Sequence, residues 1–148
     1  MESHCPMRCG CDSGDADHGP KPFVTNITRM AQENQNFRTA FWTGCRLQMT
    51  LMCIPACGEI GAEVHPETDQ LIRVEAGQAQ IRMGAFREKL GVQRRLGAGE
   101  VIFVPCGTWH NVINAGNAAL KLSSVYAPPR HPRGAAHPTR ADAAQEEA

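Results

Sequence analysis

The stretch at residues 99–114, GEVIFVPCGTWHNVIN, constrains the fold of this chain more than any other. Two short apolar runs, residues 100–104 and 109–114, are separated by Pro105 and Gly107. Proline cannot donate to a sheet ladder, and glycine accepts the positive φ that a tight reversal demands. The chain must therefore leave one strand and enter another within a few residues. The fixed positions are Gly99, Pro105, Gly107, His110 and Asn114, a spacing of G-x5-P-x-G-x2-H-x3-N. They are chemically unlike one another, so the pattern is specific.

Similar punctuation recurs along the chain. Residues 39–43 and 46–54 read as a hairpin turning at Gly44 and Cys45. In its second strand Leu47, Met49, Leu51 and Cys53 alternate with Gln48, Thr50 and Met52, a period of two. If their faces point inward, Gln48, Thr50, Met52 and Tyr126 line a cavity, although the sequence alone does not assign the face. Further strand candidates cover residues 60–65, 69–75, 78–83, 91–96 and 118–127, with Gly77, Gly99 and Gly116 in the breaks. Short strands at this spacing predict an all-β barrel or sandwich. Residues 26–35 are expected to form a short helix capped by Asn26 or Thr28. Residues 86–90 are expected to form a helical turn, and Thr139 to cap a final helix through Gln145.

Three segments follow. Residues 1–22 are rich in Cys, Asp, Gly and Pro and read as a flexible tail that cannot bury enough apolar surface to order itself. Residues 23–130 form the barrel. Pro128, Pro129 and Pro132 close it, and residues 131–148 form a C-terminal arm with a short helix.

Composition excludes several partners. Fifteen basic and fifteen acidic residues give a net charge of zero, which offers no footprint for nucleic acid or an anionic membrane. No apolar run reaches the roughly 20 residues needed to cross a bilayer. The start, Met1-Glu2-Ser3-His4, does not read as a signal peptide. Seven cysteines is an odd number for a disulfide framework, so reduced thiols and a cytoplasmic location are expected.

The spacing at residues 99–114 resembles the second sequence motif of the cupin superfamily. The resemblance implies a double-stranded β-helix, a small barrel or jelly roll with short peripheral helices. It also implies an inward histidine at the barrel mouth, usually a metal ligand. The first motif of that family is H-x-H, then three or four residues, Glu, six residues and Gly. Aligned on Gly77, this chain reads E-x-H-x4-Q-x6-G, which puts Glu63, His65 and Gln70 at the ligand positions. Glu63 stands where the family has a histidine, and Gln70 where it has the glutamate. The carboxylate has moved, but the ligand set still carries one negative charge. Residues two apart on a strand face one side, so Glu63 and His65 point together. The metal set is thus Glu63, His65, Gln70 and His110. It suits divalent zinc, iron, manganese, nickel or cobalt, with positions open for water or substrate.

The runs WTG, LQMTLMCIP, GEIGAEVHPETDQLIRVEAGQ and YAPPRHP further resemble small bacterial cupins that are mannose-6-phosphate isomerase-like. That likeness implies a metal-dependent isomerase acting on a small hydroxy-carbonyl, sugar-like compound, with Glu67 or Glu63 moving the proton. Two alternatives stand beside it. One is an iron-dependent dioxygenase using Glu63, His65 and His110. The other is a non-catalytic cupin that binds a small ligand or metal. Glu67 and Asp69 otherwise read as solvated turn acids, Arg73 and Trp109 as pointing away from the site, and Cys106 as a small buried hydrophobe. The group His4, Cys5, Cys9 and Cys11 matches no paired metal-binding spacing. A homodimer using the N-terminal segment and the Pro-rich arm is expected.

Overall fold

The computed structural model describes residues 16–146. The elements in chain order are α1 (Ile27–Glu33), β1 (Arg38–Thr43), β2 (Gln48–Ile54), β3 (Asp69–Ala76), β4 (Ala79–Gly84), β5 (Val92–Leu96), β6 (Val101–Val104), β7 (Trp109–Asn114), β8 (Leu120–Ala127), β9 (Ala136–His137) and α2 (Arg140–Glu146). One sheet runs β6-β3-β8-β2-β1-β9 and the other β5-β4-β7. Every pairing is antiparallel. The two sheets close on each other as the expected double-stranded β-helix.

Register fixes what faces the interior. Met52, Leu122 and Val74 are partners across β2, β8 and β3, and Ile81 faces Val112 across β4 and β7. All five are buried in one apolar cluster with Ile54, Ile72 and Leu120. Two residues further along β2, on the same face, lies Thr50, and beyond it Gln48. Gln48 pairs with Tyr126 on β8, which pairs with Gln70 on β3. The interior is therefore apolar at one end and polar at the other. The alternation in β2 runs against simple expectation. Its Gln48 and Thr50 point in, whereas Leu51 points out and is covered by α1 together with Phe41 and Ala31.

The helix α1 starts as expected, with the Asn26 side chain accepting from the Arg29 N–H. The hairpin also forms, closed by the Gly44 N–H donating to the Leu47 carbonyl. Thr139 caps α2, its hydroxyl accepting from the Asp142 N–H.

Other expectations need correction. Residues 60–65 make one isolated bridge, Glu63 to His110, next to another from Glu59 to Ile113, instead of a strand. Residues 86–90 form a turn closed between Phe86 and Lys89, with no helix. Cys106 is exposed. It sits on the Pro-Gly turn, where its N–H donates to Asp69 Oδ1. Cys45 is disulfide-bonded, so it is not the reduced thiol that an odd cysteine count suggested; one pair is compatible with any such count.

Packing among the described residues begins before residue 23. Asp17 is buried and accepts from the Gly19, Thr43 and Gly134 N–H groups and from the Thr43 hydroxyl. The arm after Ala127 folds back on its own barrel, where Arg133 donates to the Asp17 and Gly19 carbonyls. The cysteines and histidine of residues 4–11 lie outside the described residues.

Candidate metal centre

The Pro-Gly turn organises the site. Gly107 takes φ +79°, a conformation that favours glycine, and its N–H donates to the His65 carbonyl. Beyond the turn, Glu63 and His110 exchange both backbone hydrogen bonds, each 2.9 Å. The segment carrying Glu63 and His65 is thereby stitched alongside β7, which carries His110. Alternation places His110, Val112 and Asn114 on one face of β7, and the buried Val112 shows that this face is the interior.

The side chains converge. Ligand atoms of Glu63, His65 and His110 lie within 4.8 Å of one another. Glu63 Oε1 is 3.5 Å from His65 Nε2 and 3.4 Å from His110 Nε2. Both histidines are buried, and neither Nε2 has a well-formed hydrogen bond. Burial opposes the charge on Glu63. Its contacts with His110 and His65, and the charge of Arg38, outweigh burial and hold its carboxyl well below the usual carboxylate range.

The two imidazoles are set differently. His110 Nδ1 lies 3.0 Å from the Thr108 carbonyl, which can only accept. The ring proton therefore sits on Nδ1, and Nε2 offers its lone pair inward. His65 Nδ1 instead receives a hydrogen bond from Arg130 Nε at 3.2 Å. Arginine only donates, so a neutral His65 carries its proton on Nε2, facing Glu63. Ligation through that nitrogen requires the proton to move to Nδ1 and Arg130 to let go.

Gln70 is buried on the inner face of β3, with Oε1 unpartnered. Its register partner Tyr126 has its ring 5.6 Å from that of His65. Glu67 is exposed and lines a cleft of about 360 Å³ with His65, Thr68, Pro128 and Arg130. Asp69 clips the turn through Cys106, Arg73 faces Glu75 on the outer side, and Trp109 lies beneath Arg87.

Three residues at the site escaped the sequence reading. Arg38 is 2 % exposed, and its charge is felt at Glu63. Arg130 touches His65 directly. His131, assigned to the arm, is buried with its ring 5.1 Å from that of Tyr126. Burial, then the charge of Arg38, pushes its pKa down to about 3. For Arg130 and His131 the signal was the run of prolines, which marks a chain reversal without saying where the segment lands; nothing local marked Arg38.

One carboxylate and two imidazoles converging at the polar end of a barrel are compatible with a divalent metal ion. A jelly-roll barrel with such a cluster at its mouth defines a class of small metal-site β-barrels. Comparison with known proteins makes that class specific. The Cupin domain family matches residues 50–126. The chain is 52% identical over 127 residues to YrkC of Bacillus subtilis, covering 86% of this chain and 68% of that protein. A crystal structure from Bacillus halodurans superposes with a TM-score of 0.87 at 48% identity, covering 88% of this chain and 98% of the other. A Klebsiella pneumoniae protein with a double-stranded β-helix domain has a TM-score of 0.61 at 19% identity, covering 80% of this chain and 100% of the other, and shares the fold. This chain belongs to the cupin family.

Proposed function

We propose that this cupin is a metal-dependent enzyme acting on a small hydroxy-carbonyl compound, isomerase in type. Glu63, His65 and His110 hold one divalent cation, and Gln70 offers a further oxygen donor. The observation that carries this reading is the convergence of the three ligand atoms within 4.8 Å. The cleft beside His65, about 360 Å³, is of small-molecule size. The resemblance of the sequence runs around Glu63 and His65 to mannose-6-phosphate isomerase-like cupins is the ground for proposing a sugar-like substrate.

The bound cation supplies Lewis acidity, polarising a carbonyl and easing negative charge on its oxygen. The residues divide the remaining work. Glu63 stays anionic and serves as ligand. Glu67, exposed on the cleft, takes a proton from one carbon and returns it to its neighbour. Thr68 and Arg130 border the entry. The working unit in this reading is a homodimer; a monomeric mass at micromolar concentration would remove that part.

The test is proton exchange. Metal-loaded protein incubated in deuterated water with aldoses, ketoses and hydroxy-keto acids should place deuterium on the carbon beside the carbonyl. Glu67→Gln should suppress it at least a hundredfold, in line with the usual contribution of a general base of roughly 10²–10⁴. No exchange with any of the five metals would reject the isomerase. The two-histidine, one-carboxylate set also favours a second reading, an iron-dependent dioxygenase. Oxygen uptake on adding ferrous iron with thiols or diols would select it.

A further inference from the structure

The His65 ring cannot serve Arg130 and a cation together. Arg130 Nε donates to His65 Nδ1 at 3.2 Å, which requires a lone pair on that nitrogen. A neutral ring that offers Nε2 to a cation carries its proton on Nδ1, where it faces the Arg130 N–H. Two donors then point at each other, and the hydrogen bond is lost. Glu63 does not take the guanidinium over. It lies at the opposite nitrogen, with Oε1 3.5 Å from His65 Nε2, and is itself a ligand candidate.

The backbone around Arg130 is pinned. The Arg130 and His131 N–H groups donate to Gln48 Oε1, and the His131 carbonyl accepts from Gln48 Nε2. Pro128 and Pro129 precede them, with φ held by their rings. The side chain is left to turn, and the open volume beside it is the cleft of about 360 Å³. The charged or titratable residues lining that cleft are His65, Arg130 and Glu67. Asp69 is turned to the Pro-Gly turn, where it accepts from the Cys106 N–H. Glu67 is exposed, and among the described residues its carboxylate has no hydrogen bond or ion pair. It is the acceptor within the cleft that a released guanidinium meets.

We infer that, as His65 becomes a metal ligand, Arg130 passes from the His65 ring to the Glu67 carboxylate. Arg130 is then a positioning residue. It frees the ligand and fixes in the cleft the acid proposed to move the proton. A guanidinium presents a planar fork that a carboxylate meets with two parallel hydrogen bonds. The pairing also keeps Glu67 ionised, the form a base needs. The inference rests on the proposed metal site and adds how its loading arranges the cleft. Coupling of this kind is reciprocal, so removing the Glu67 carboxylate weakens metal binding through Arg130.

The test measures zinc affinity of the full chain against a competing chelator, in a double-mutant cycle. Glu67→Gln should weaken zinc binding about threefold in the natural chain, the scale of a partly exposed ion pair. In an Arg130→Met chain the same substitution should change zinc affinity by less than about 1.5-fold, because only the screened field of an exposed carboxylate remains. A second measurement follows Arg130 itself by nuclear magnetic resonance. Its Nε–H resonance, assigned by its loss in Arg130→Met, should move when zinc is added. Glu67→Gln should leave the zinc-free resonance in place and, in the zinc-loaded protein, speed its exchange with water. Equal effects of Glu67→Gln in the two backgrounds, or an Arg130 resonance that zinc does not move, overturn the inference and leave the metal reading standing. A chain that takes up no zinc overturns both.

Discussion

His65 and His110 face the same carboxylate oxygen but are set to opposite chemistry by one hydrogen bond each. The Thr108 carbonyl keeps the His110 proton on Nδ1, whereas Arg130 forces Nδ1 of His65 to accept. Arg130 therefore opposes a cation twice, through the tautomer it imposes and through its charge. Arg130→Met should tighten zinc binding about tenfold, equivalent to about 1.4 kcal/mol. Titration against a competing chelator measures this, and weaker or unchanged binding would contradict it. Both histidines were legible in the sequence because the motifs fix their spacing. Glu63 was legible by alternation from His65, even though its segment makes a single bridge where a strand was expected. Arg38, Arg130 and His131 were not. Their placement depends on contacts between residues far apart in sequence, and no local spacing encodes those.

At the scale of elements, the arm after β8 is an integral part of the site. Gln48 clamps it with three hydrogen bonds to Arg130 and His131, and its fourth goes to Thr43 on β1; those positions put Arg130 against His65. Gln48→Leu leaves buried N–H and C=O groups of the arm unpaired, at roughly 1–3 kcal/mol for each group left so. With three groups so affected, a total loss of about 3 kcal/mol or more is expected in urea denaturation, with faster amide exchange at Arg130 and His131. A loss below about 0.5 kcal/mol, the scale of ordinary surface substitutions, would show that the clamp is dispensable. The strands themselves were legible, because period-two patterning and Gly or Pro breaks act locally. The face of β2 was not. Leu51 reads as core and is buried, but beneath α1, while Thr50 enters the barrel. Polar residues point inward there, at the end of the barrel where Glu63, His65 and His110 converge.

Across the whole molecule, the barrel joins a dry end that stabilises it to a polar end that costs stability. His131 makes the cost sensitive to pH. Its folded pKa of about 3 lies below its ordinary 6.5, so between those values the unfolded chain binds the extra proton. Stability is at its plateau above pH 6.5 and falls as pH drops through this window, by at most about 1.4 kcal/mol per pH unit from this one group. Protonating Glu63 adds a loss of the same sign below its ordinary 4.5. His131→Gln should flatten the slope between pH 6 and pH 5 in urea denaturation, and an unaltered slope would contradict the assignment. No helix among the described residues is long and apolar enough to cross a membrane. The fold class was readable because it follows from many short local patterns. The charge balance inside the barrel was not, because a net charge of zero for the chain conceals where the arginines lie.

The central claim is that Glu63, His65 and His110 share one divalent cation. Elemental analysis of protein made without a metal-binding tag tests it most directly, comparing the natural chain with His110→Ala and Glu63→Gln. About one metal ion per chain, falling to near zero in both variants, is the predicted result. A chain that carries no metal after incubation with zinc, iron, manganese, nickel or cobalt, or whose metal content is indifferent to both substitutions, would contradict it.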